Sequence, residues 1–468
     1  MGSNFINIDR ATPMLLPLDM RDWLPDDHMV HFILDVVEAA DTSGFSFNKR
    51  GTGSKQYPPS MLLALLVYCY STGRFSSRVI EDASYYDVAV RYVCADTHPD
   101  HDTICTFRRV NRKAFKEFFV HVLEVAAQSG VLKKVGTVSV DGTKLHANAS
   151  KHSAVSYSHA QEMLKELESE VLALTEKAEQ CDGSEQQDCA FNLPDEIARR
   201  KERKARIQEA IDVIESRHAE KLKEQKQEYQ RKLAAREARR AAGKRPRGPE
   251  PKPPSEEVPA QDQYNLTDAQ SRIMKAGTGK HFEQCYNGQA AVEVESMLIV
   301  SNHLSDCPND KLELLPSLDA AQANGFIVTD ALADTGYYSE SNTTGCEARQ
   351  IDPYIAAGKQ SHGIPIEAIL GTATVPLLPE KATPKERMEH KLKSPEAAAL
   401  YALRKQTVEP VFGIIKHAMR FRQFLMRGKE NVTGEWNLVC TAYNLRRTFN
   451  LIKAQAATAL SSDMAANA

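Results

Sequence analysis

Val138-Ser139-Val140-Asp141-Gly142-Thr143 is a β-branched run that delivers a carboxylate to a glycine. Val135 to Val140 has the composition of a strand. Asp141 then stands at its end, where Gly142 favours a change of direction. Two later segments are built alike. Ala333-Asp334-Thr335-Gly336-Tyr337 follows a strand expected over Phe326 to Leu332. Val408-Glu409-Pro410-Val411-Phe412-Gly413-Ile414-Ile415-Lys416 sets an acid directly before a proline. The residue before proline resists the α conformation, so Glu409 is expected at a kink or a helix start. Lys416 lies two turns further along the same expected helix face.

Three carboxylates from distant parts of a chain suit one chemistry. They can hold two Mg²⁺ ions for in-line phosphoryl transfer on nucleic acid. Brought together without a cation they would repel one another. Each also has an ordinary reading. Asp141 and Asp334 can be turn formers. Asp330, four residues before Asp334 on the same strand face, competes with it. Glu409 can serve a helix dipole alone.

Working outward, residues 1–110 read as helical. Pro58-Pro59 opens the apolar run Met61 to Tyr70, and Ser71-Thr72-Gly73 breaks it. Ser76-Ser77 is expected to cap a helix over Arg78 to Val90. His101-Asp102-Thr103 starts a third helix carrying Phe107, Arg108, Arg109, Arg112 and Lys113. This order is compatible with a helix-turn-helix DNA reader, with Arg108 and Arg109 as DNA contacts, and equally with a plain helical bundle.

After the Asp141 strand the composition changes. Leu164, Leu167, Val171 and Leu174, then Ile207, Ile211 and Ile214, follow helical spacing within a dense Lys/Arg/Glu surface. This predicts a helical hairpin. A Pro-rich linker follows. From Tyr286 the pattern gives strands over Gln289 to Val294, Met297 to Ser301 and Ile351 to Ala356. Helices are expected over Asp310 to Asn324 and from Ser394-Pro395-Glu396. The order predicts an α/β fold, an RNase H-like catalytic domain with a mixed sheet and flanking helices. A helical hairpin insertion interrupts it after its first strand, and an all-helical N-terminal domain precedes it. The expected parts are 1–130 (N-terminal DNA-binding domain), 131–157 with 264–455 (catalytic domain), 158–243 (hairpin), 244–263 (linker) and 456–468 (disordered tail).

Composition limits the alternatives. The chain has 468 residues, 42% hydrophobic and 26% charged, with net charge −3. That suits two or three globular domains and excludes a polycation. Nucleic-acid contact must therefore come from local patches. One runs from Tyr401 to Lys429, where Arg404, Lys405, Lys416, Arg420, Arg422, Arg427 and Lys429 accompany one acid, Glu409. No apolar run reaches a membrane span, and no secretory leader is expected. Nine scattered cysteines without a CxxC pair argue against a disulfide framework and fit a reducing cytoplasm.

These residues resemble a known family: bacterial insertion-sequence transposases with a DDE catalytic triad, in the broad IS4/IS5-like group, of the IS1182 type. Tyr57-Pro58-Pro59-Ser60-Met61-Leu62 through Arg78-Val79-Ile80-Glu81 to His101-Asp102-Thr103-Ile104-Cys105-Thr106-Phe107-Arg108 is similar to the family's N-terminal DNA-binding segment. Val140-Asp141-Gly142-Thr143-Lys144 resembles its first-acid strand. Ala333-Asp334-Thr335-Gly336-Tyr337 resembles its second-acid motif and favours Asp334 over Asp330. Val408 to Gly413 with Lys416 resembles the third. In the family's Tyr-x2-Arg-x3-Glu-x6-Lys signature, Tyr401, Arg404, Glu409 and Lys416 fall in order. Arg404 is one residue too far from Glu409, and Lys405 has the family spacing.

The resemblance implies Asp141, Asp334 and Glu409 as catalytic, metal-holding acids. It implies two Mg²⁺, with Mn²⁺ able to substitute. It also implies contacts from Arg404, Lys405, Lys416, Arg420, Arg422, Arg108 and Arg109 to double-stranded DNA at terminal inverted repeats and target sites. A homodimeric synaptic complex and a cytoplasmic, nucleoid-associated place follow from it. Two rivals keep parts of this reading: an RNase H-fold nuclease without strand transfer, and a catalytically silent transposase-derived DNA-binding protein.

Overall fold

The computed structural model describes residues 19–47, 56–182, 192–243, 249–275, 281–358 and 382–466. Six helices come first: α1 (Met29–Glu38), α2 (Pro59–Ser71), α3 (Ser77–Tyr86), α4 (Val88–Val93), α5 (His101–Val110) and α6 (Ala114–Gln128). α2 begins with proline in its first turn, where no backbone donor is missed. Its ten residues from Leu62 to Ser71 are all buried, as an all-round apolar helix must be. Gly73, at φ +85°, ends it. The single helix expected over Arg78 to Val90 is two. Asp87 intervenes, its side chain accepting the Val90 N–H at 3.0 Å and capping α4. α5 starts at His101, as expected, and is capped by Asp100.

The sheet is mixed. β1 (Val135–His146) pairs antiparallel with β5 (Phe282–Glu293) and parallel with β7 (Ile327–Ala333), which pairs parallel with β8 (Asp352–Ile355). The other edge of β5 is shared by β4 (Arg272–Lys275) and β6 (Ile299–Ser305). β2 (Ala154–Ser156) and β3 (Gln263–Asn265) form a separate ribbon. The parallel connections cross through α9 (Leu314–Ala323) before β7 and α10 (Glu340–Ala348) before β8. Three helices follow: α11 (Pro384–Lys391), α12 (Pro395–Gly413) and α13 (Lys429–Ala466). Residues 456–466, expected as a disordered tail, continue α13.

Between β2 and β3 run α7 (Tyr157–Asp182) and the 49-residue α8 (Leu193–Ala241). They lie antiparallel. Arg200 bonds Glu170 at 2.8 Å, Lys204 bonds Glu168 at 2.9 Å and Tyr157 bonds Glu215 at 2.7 Å. Val155, Ala160, Leu167, Ile207, Ala210, Ile211, Ile214 and Tyr264 form their own core. The Pro-rich stretch returns along α8: Arg236 donates to the Pro249 carbonyl at 3.0 Å, and Lys226 pairs with Glu256 at 2.6 Å.

The N-terminal helices share one hydrophobic core with the sheet and α13. Arg108 shows why. It was expected on a DNA-reading face, yet it is 4% exposed. Its guanidinium donates to the Tyr70 hydroxyl at 2.8 Å and the Phe75 carbonyl at 2.9 Å, 3.9 Å from the fully buried Glu435 of α13. An arginine so enclosed offers nothing to phosphate. Arg109, its neighbour, is exposed. Helix periodicity alone turns one of two adjacent residues inward.

Candidate functional site

Strand register assembles the first half of the site. The parallel pairing of β1 with β7 ends at Val140 opposite Ala333. The next residues are Asp141 and Asp334, so both acids leave the same end of the parallel pair. This is the carboxyl end of the strands, where α/β sheets bind ligands. Asp141 does not end its strand, as the sequence suggested. β1 continues to His146, paired from there with β5 alone. What ends at Asp141 is the β7 partner. Asp334 leaves β7 and caps a short 3₁₀ turn, accepting the Gly336 N–H at 2.8 Å. Asp330 sits lower on β7, its carboxylate held by the Thr137 and Thr329 hydroxyls at 3.1 and 2.7 Å. It is satisfied there.

Asp141 accepts the Gly142 N–H at 2.8 Å. Burial pushes its carboxyl up to about 7. The Gly142 N–H and Arg404 work against that rise, and the Asp334 and Asp310 charges add to it. Gly142 itself is required by crowding. A Cβ there would lie 2.6 Å from an Asp310 oxygen and 2.8 Å from the Asn287 amide oxygen. Asp310 holds a polar cluster behind the strand, accepting from Asn287 at 2.6 Å, Gln289 at 2.7 Å and Lys144 at 3.2 Å. Sequence reasoning missed this cluster. Asp310 precedes a helix with no local pattern to mark it, and only Lys144, three residues from Asp141, hinted at a partner.

The second half is helical. Ser394 caps α12, accepting the Ala397 N–H at 3.2 Å. Glu409 lies within α12, with Pro410 inside the helix. The expected helix start is therefore absent: packing of α12 on the sheet outweighs the local proline preference. The Glu409 side chain is 53% exposed, and its nearest charged partner is Arg404 at 3.5 Å. Arg404 is 9% exposed, and its Nε is buried without a partner. Lys405, which has the family spacing, is exposed instead. Arg404 is thus the cation beside the acids.

After Gly413 the helix passes into a π segment, Ile414–Ala418. Lys416 lies within this wider turn and is partly buried. Its ammonium donates to the Lys144 carbonyl of β1 at 2.9 Å. Burial pulls its pKa down, the Cys285 thiol opposes that, and the nearby Lys144 and Arg422 cations add to it. Asp141 is close enough to act on it as well. Beyond it the chain runs back along the end of β1. The His146 N–H donates to the Arg422 carbonyl at 3.0 Å, and the Phe424 N–H to the His146 carbonyl at 2.9 Å. Arg420, exposed at φ +65°, and Arg422, exposed, lie on this return.

Asp141 and Asp334 fit a divalent cation: they are adjacent, and each has an oxygen without a donor among the described residues. Among those residues no three His, Cys, Asp or Glu side chains are gathered closely enough to hold an ion. Glu409 is engaged with Arg404 instead.

Two stretches match known families. Residues 18–110 match the family described as Transposase domain (DUF772), and residues 371–449 the family described as Transposase DDE domain. The second covers Arg404, Glu409 and Lys416, while Asp141 and Asp334 lie outside both. No curated protein and no solved structure matches the chain. No helix among the described residues is long and apolar enough to cross a membrane. DDE transposases act on DNA and use divalent metal ions. With the first family over the N-terminal helices and the second over the helix of Glu409, a combination typical of the IS1182 type, the chain is an insertion-sequence DDE transposase.

Proposed function

We propose that Asp141, Asp334 and Glu409 are the catalytic acids of an RNase H-like domain interrupted by the α7–α8 hairpin. In this reading the protein binds the terminal inverted repeats of its element as a homodimer, in the nucleoid-associated cytoplasm, and cleaves and joins DNA strands with Mg²⁺ or Mn²⁺. The observation that carries the reading is the register of β1 on β7, which sets two acids side by side at one sheet end. Bound divalent ions would supply Lewis-acid stabilisation of the attacking and leaving oxygens.

The chain's own groups do the rest. Asp141 and Asp334 are held by backbone N–H groups at 2.8 Å, which fixes their carboxylates before substrate arrives. Glu409 joins them by turning away from Arg404, to which it is bound only at 3.5 Å. The released guanidinium is then free to meet a DNA phosphate, which suits its planar fork. Lys416 packs against β1 and adds positive charge beside Asp141. Arg109, Arg420, Arg422 and Lys405 are exposed and serve as backbone contacts.

The test is a supercoiled plasmid carrying two terminal repeats, incubated with protein and Mg²⁺. Cleavage at the repeat ends followed by joining to a target molecule is the expected result. Cleavage without joining would return the protein to the nuclease reading, and specific binding without cleavage to the silent one.

A further inference from the structure

Where the hairpin meets the sheet, one cleft sets four cations against three carboxylates. Arg217 of α8 reaches across to the carbonyls of Gln263 at 3.4 Å and Ala269 at 2.5 Å, its guanidinium 5.6 Å from the Tyr264 ring centre. No carboxylate pairs with it among the described residues. Arg272 and Lys429 share one acid, Asp306, at 3.1 and 2.8 Å. The Arg427 Nε donates to the Asn148 carbonyl at 2.9 Å, and its terminal nitrogens have no partner among the described residues. Of the other two acids, Asp268 is buried, with its carboxylate accepting the Tyr286 hydroxyl at 2.9 and 3.0 Å, and Glu209 stands exposed on α8.

These groups line a cleft of 620 Å³ between the hairpin and the start of α13. An adjoining cleft of 520 Å³ shares Arg217, Arg272 and Asp306. Burial lowers the Arg217 pKa, and the Arg272 charge lowers it further. Tyr264, Asp306 and Asp262 oppose that fall without any carboxylate pairing directly with the guanidinium. Glu220 and Glu224 stand exposed on the rim of the second cleft. They repel a long polyanion there, so an extended anion would leave on the Arg427 side. Arg427 closes the return segment that starts at Arg420 and runs along the end of β1. Positive charge therefore continues from the acid end of the sheet to the hairpin.

We propose that this cleft binds the phosphodiester backbone of the duplex held by the transposase, with Arg217 and Arg427 as the contacts and the Arg272–Asp306–Lys429 cluster as a positive floor. The hairpin then has a job: it closes over DNA whose end lies at the acids. This inference rests on the DNA reading above. The test is the salt dependence of binding of the full chain to a labelled duplex bearing one terminal repeat. Each lost phosphate contact reduces the slope of log K against log salt by about 0.9. Arg217→Gln and Arg427→Gln should each lower the slope by about one, and together by about two. Arg217→Lys, which keeps the charge, should restore it. Where Arg217→Gln lowers thermal stability, the exposed Arg427→Gln decides alone. Wild-type slopes in folded variants would overturn the cleft proposal. A wild-type protein that fails to bind the duplex would instead overturn the DNA reading.

Discussion

The two halves of the acid site are held by different means. Asp141 and Asp334 are placed by strand register, and each carboxylate is tied to a backbone N–H at 2.8 Å. Glu409 is placed by a helix that contains a proline, runs into a π segment and leaves the side chain 53% exposed beside an arginine at 3.5 Å. The sheet half cannot move without breaking a ladder. The helical half can exchange partners, because Glu409 is half exposed and meets the buried Arg404 only at 3.5 Å. Preorganisation ends with the two aspartates, and adjustment begins at Glu409.

The largest effect should come from the rigid half. Asp334→Asn keeps shape and loses the charge a cation needs. Losing several kcal/mol of transition-state stabilisation lowers strand cleavage by roughly 10³-fold or more. Binding to the terminal repeat should persist. Asp330→Asn, in a position where two hydroxyls already satisfy the carboxylate, should leave cleavage within a few-fold of wild type. Equal losses in a nicking assay would dissolve the distinction between the two acids.

The helical half depends on its base. Glu435 is fully buried and accepts the N–H groups of Leu425 and Met426 at 3.0 and 3.1 Å, which anchors the basic return segment. Burial raises its pKa, and Arg108 holds that rise in check. Arg108→Gln should cost about 3–5 kcal/mol by leaving a buried charge without its partner. A carboxyl with a raised folded pKa binds its proton more tightly folded than unfolded. Its penalty is therefore greatest above the folded pKa and fades as pH falls toward the unfolded value. The melting deficit of Arg108→Gln should thus be larger at neutral pH than near pH 5. Arg109→Gln, by contrast, should leave melting unchanged and lower the salt slope of DNA binding by about one. A pH-independent deficit in the first variant would contradict the buried-charge account.

Arg404 and Lys405 differ in the same way, one buried and one exposed. Arg404→Gln should slow cleavage about 10–100-fold, the cost of one charge-assisted contact of ~1.5–3 kcal/mol. Lys405→Gln should leave the cleavage rate within two-fold, as expected of an exposed side chain. Reversed outcomes in single-turnover cleavage would mean that family spacing, not burial, identifies the working cation.

The smallest effect concerns Pro410. Within a helix it forfeits a hydrogen bond to the Gln406 carbonyl. Pro410→Ala should raise the unfolding midpoint by a few degrees. If the π segment is a response to the proline, cleavage should fall at the same time, because Lys416 would shift off the Lys144 carbonyl.

How much of this was legible in the sequence follows from the same contrast. Strand alternation and β-branched runs marked β1 and β7, and with them the two aspartates, because those signals are local. The hairpin was readable from the spacing of Leu167, Ile207, Ile211 and Ile214, which is also local. The inward turn of Arg108 was not, since its partners Tyr70 and Glu435 lie 38 and 327 residues away. Lys416 is partly buried within one wide helical turn that no residue type announces. Asp310 and the cations around Asp306 assemble only through tertiary packing.

The sheet-end acids should hold a divalent cation that Glu409 joins in holding. Titration of Mn²⁺ into the full chain, followed by the loss of the free-ion electron paramagnetic resonance signal, tests this directly. Binding should be saturable, abolished by Asp141→Asn and by Asp334→Asn, weakened by Glu409→Gln and left intact by Asp330→Asn. Binding that survives in both Asp141→Asn and Asp334→Asn would contradict it.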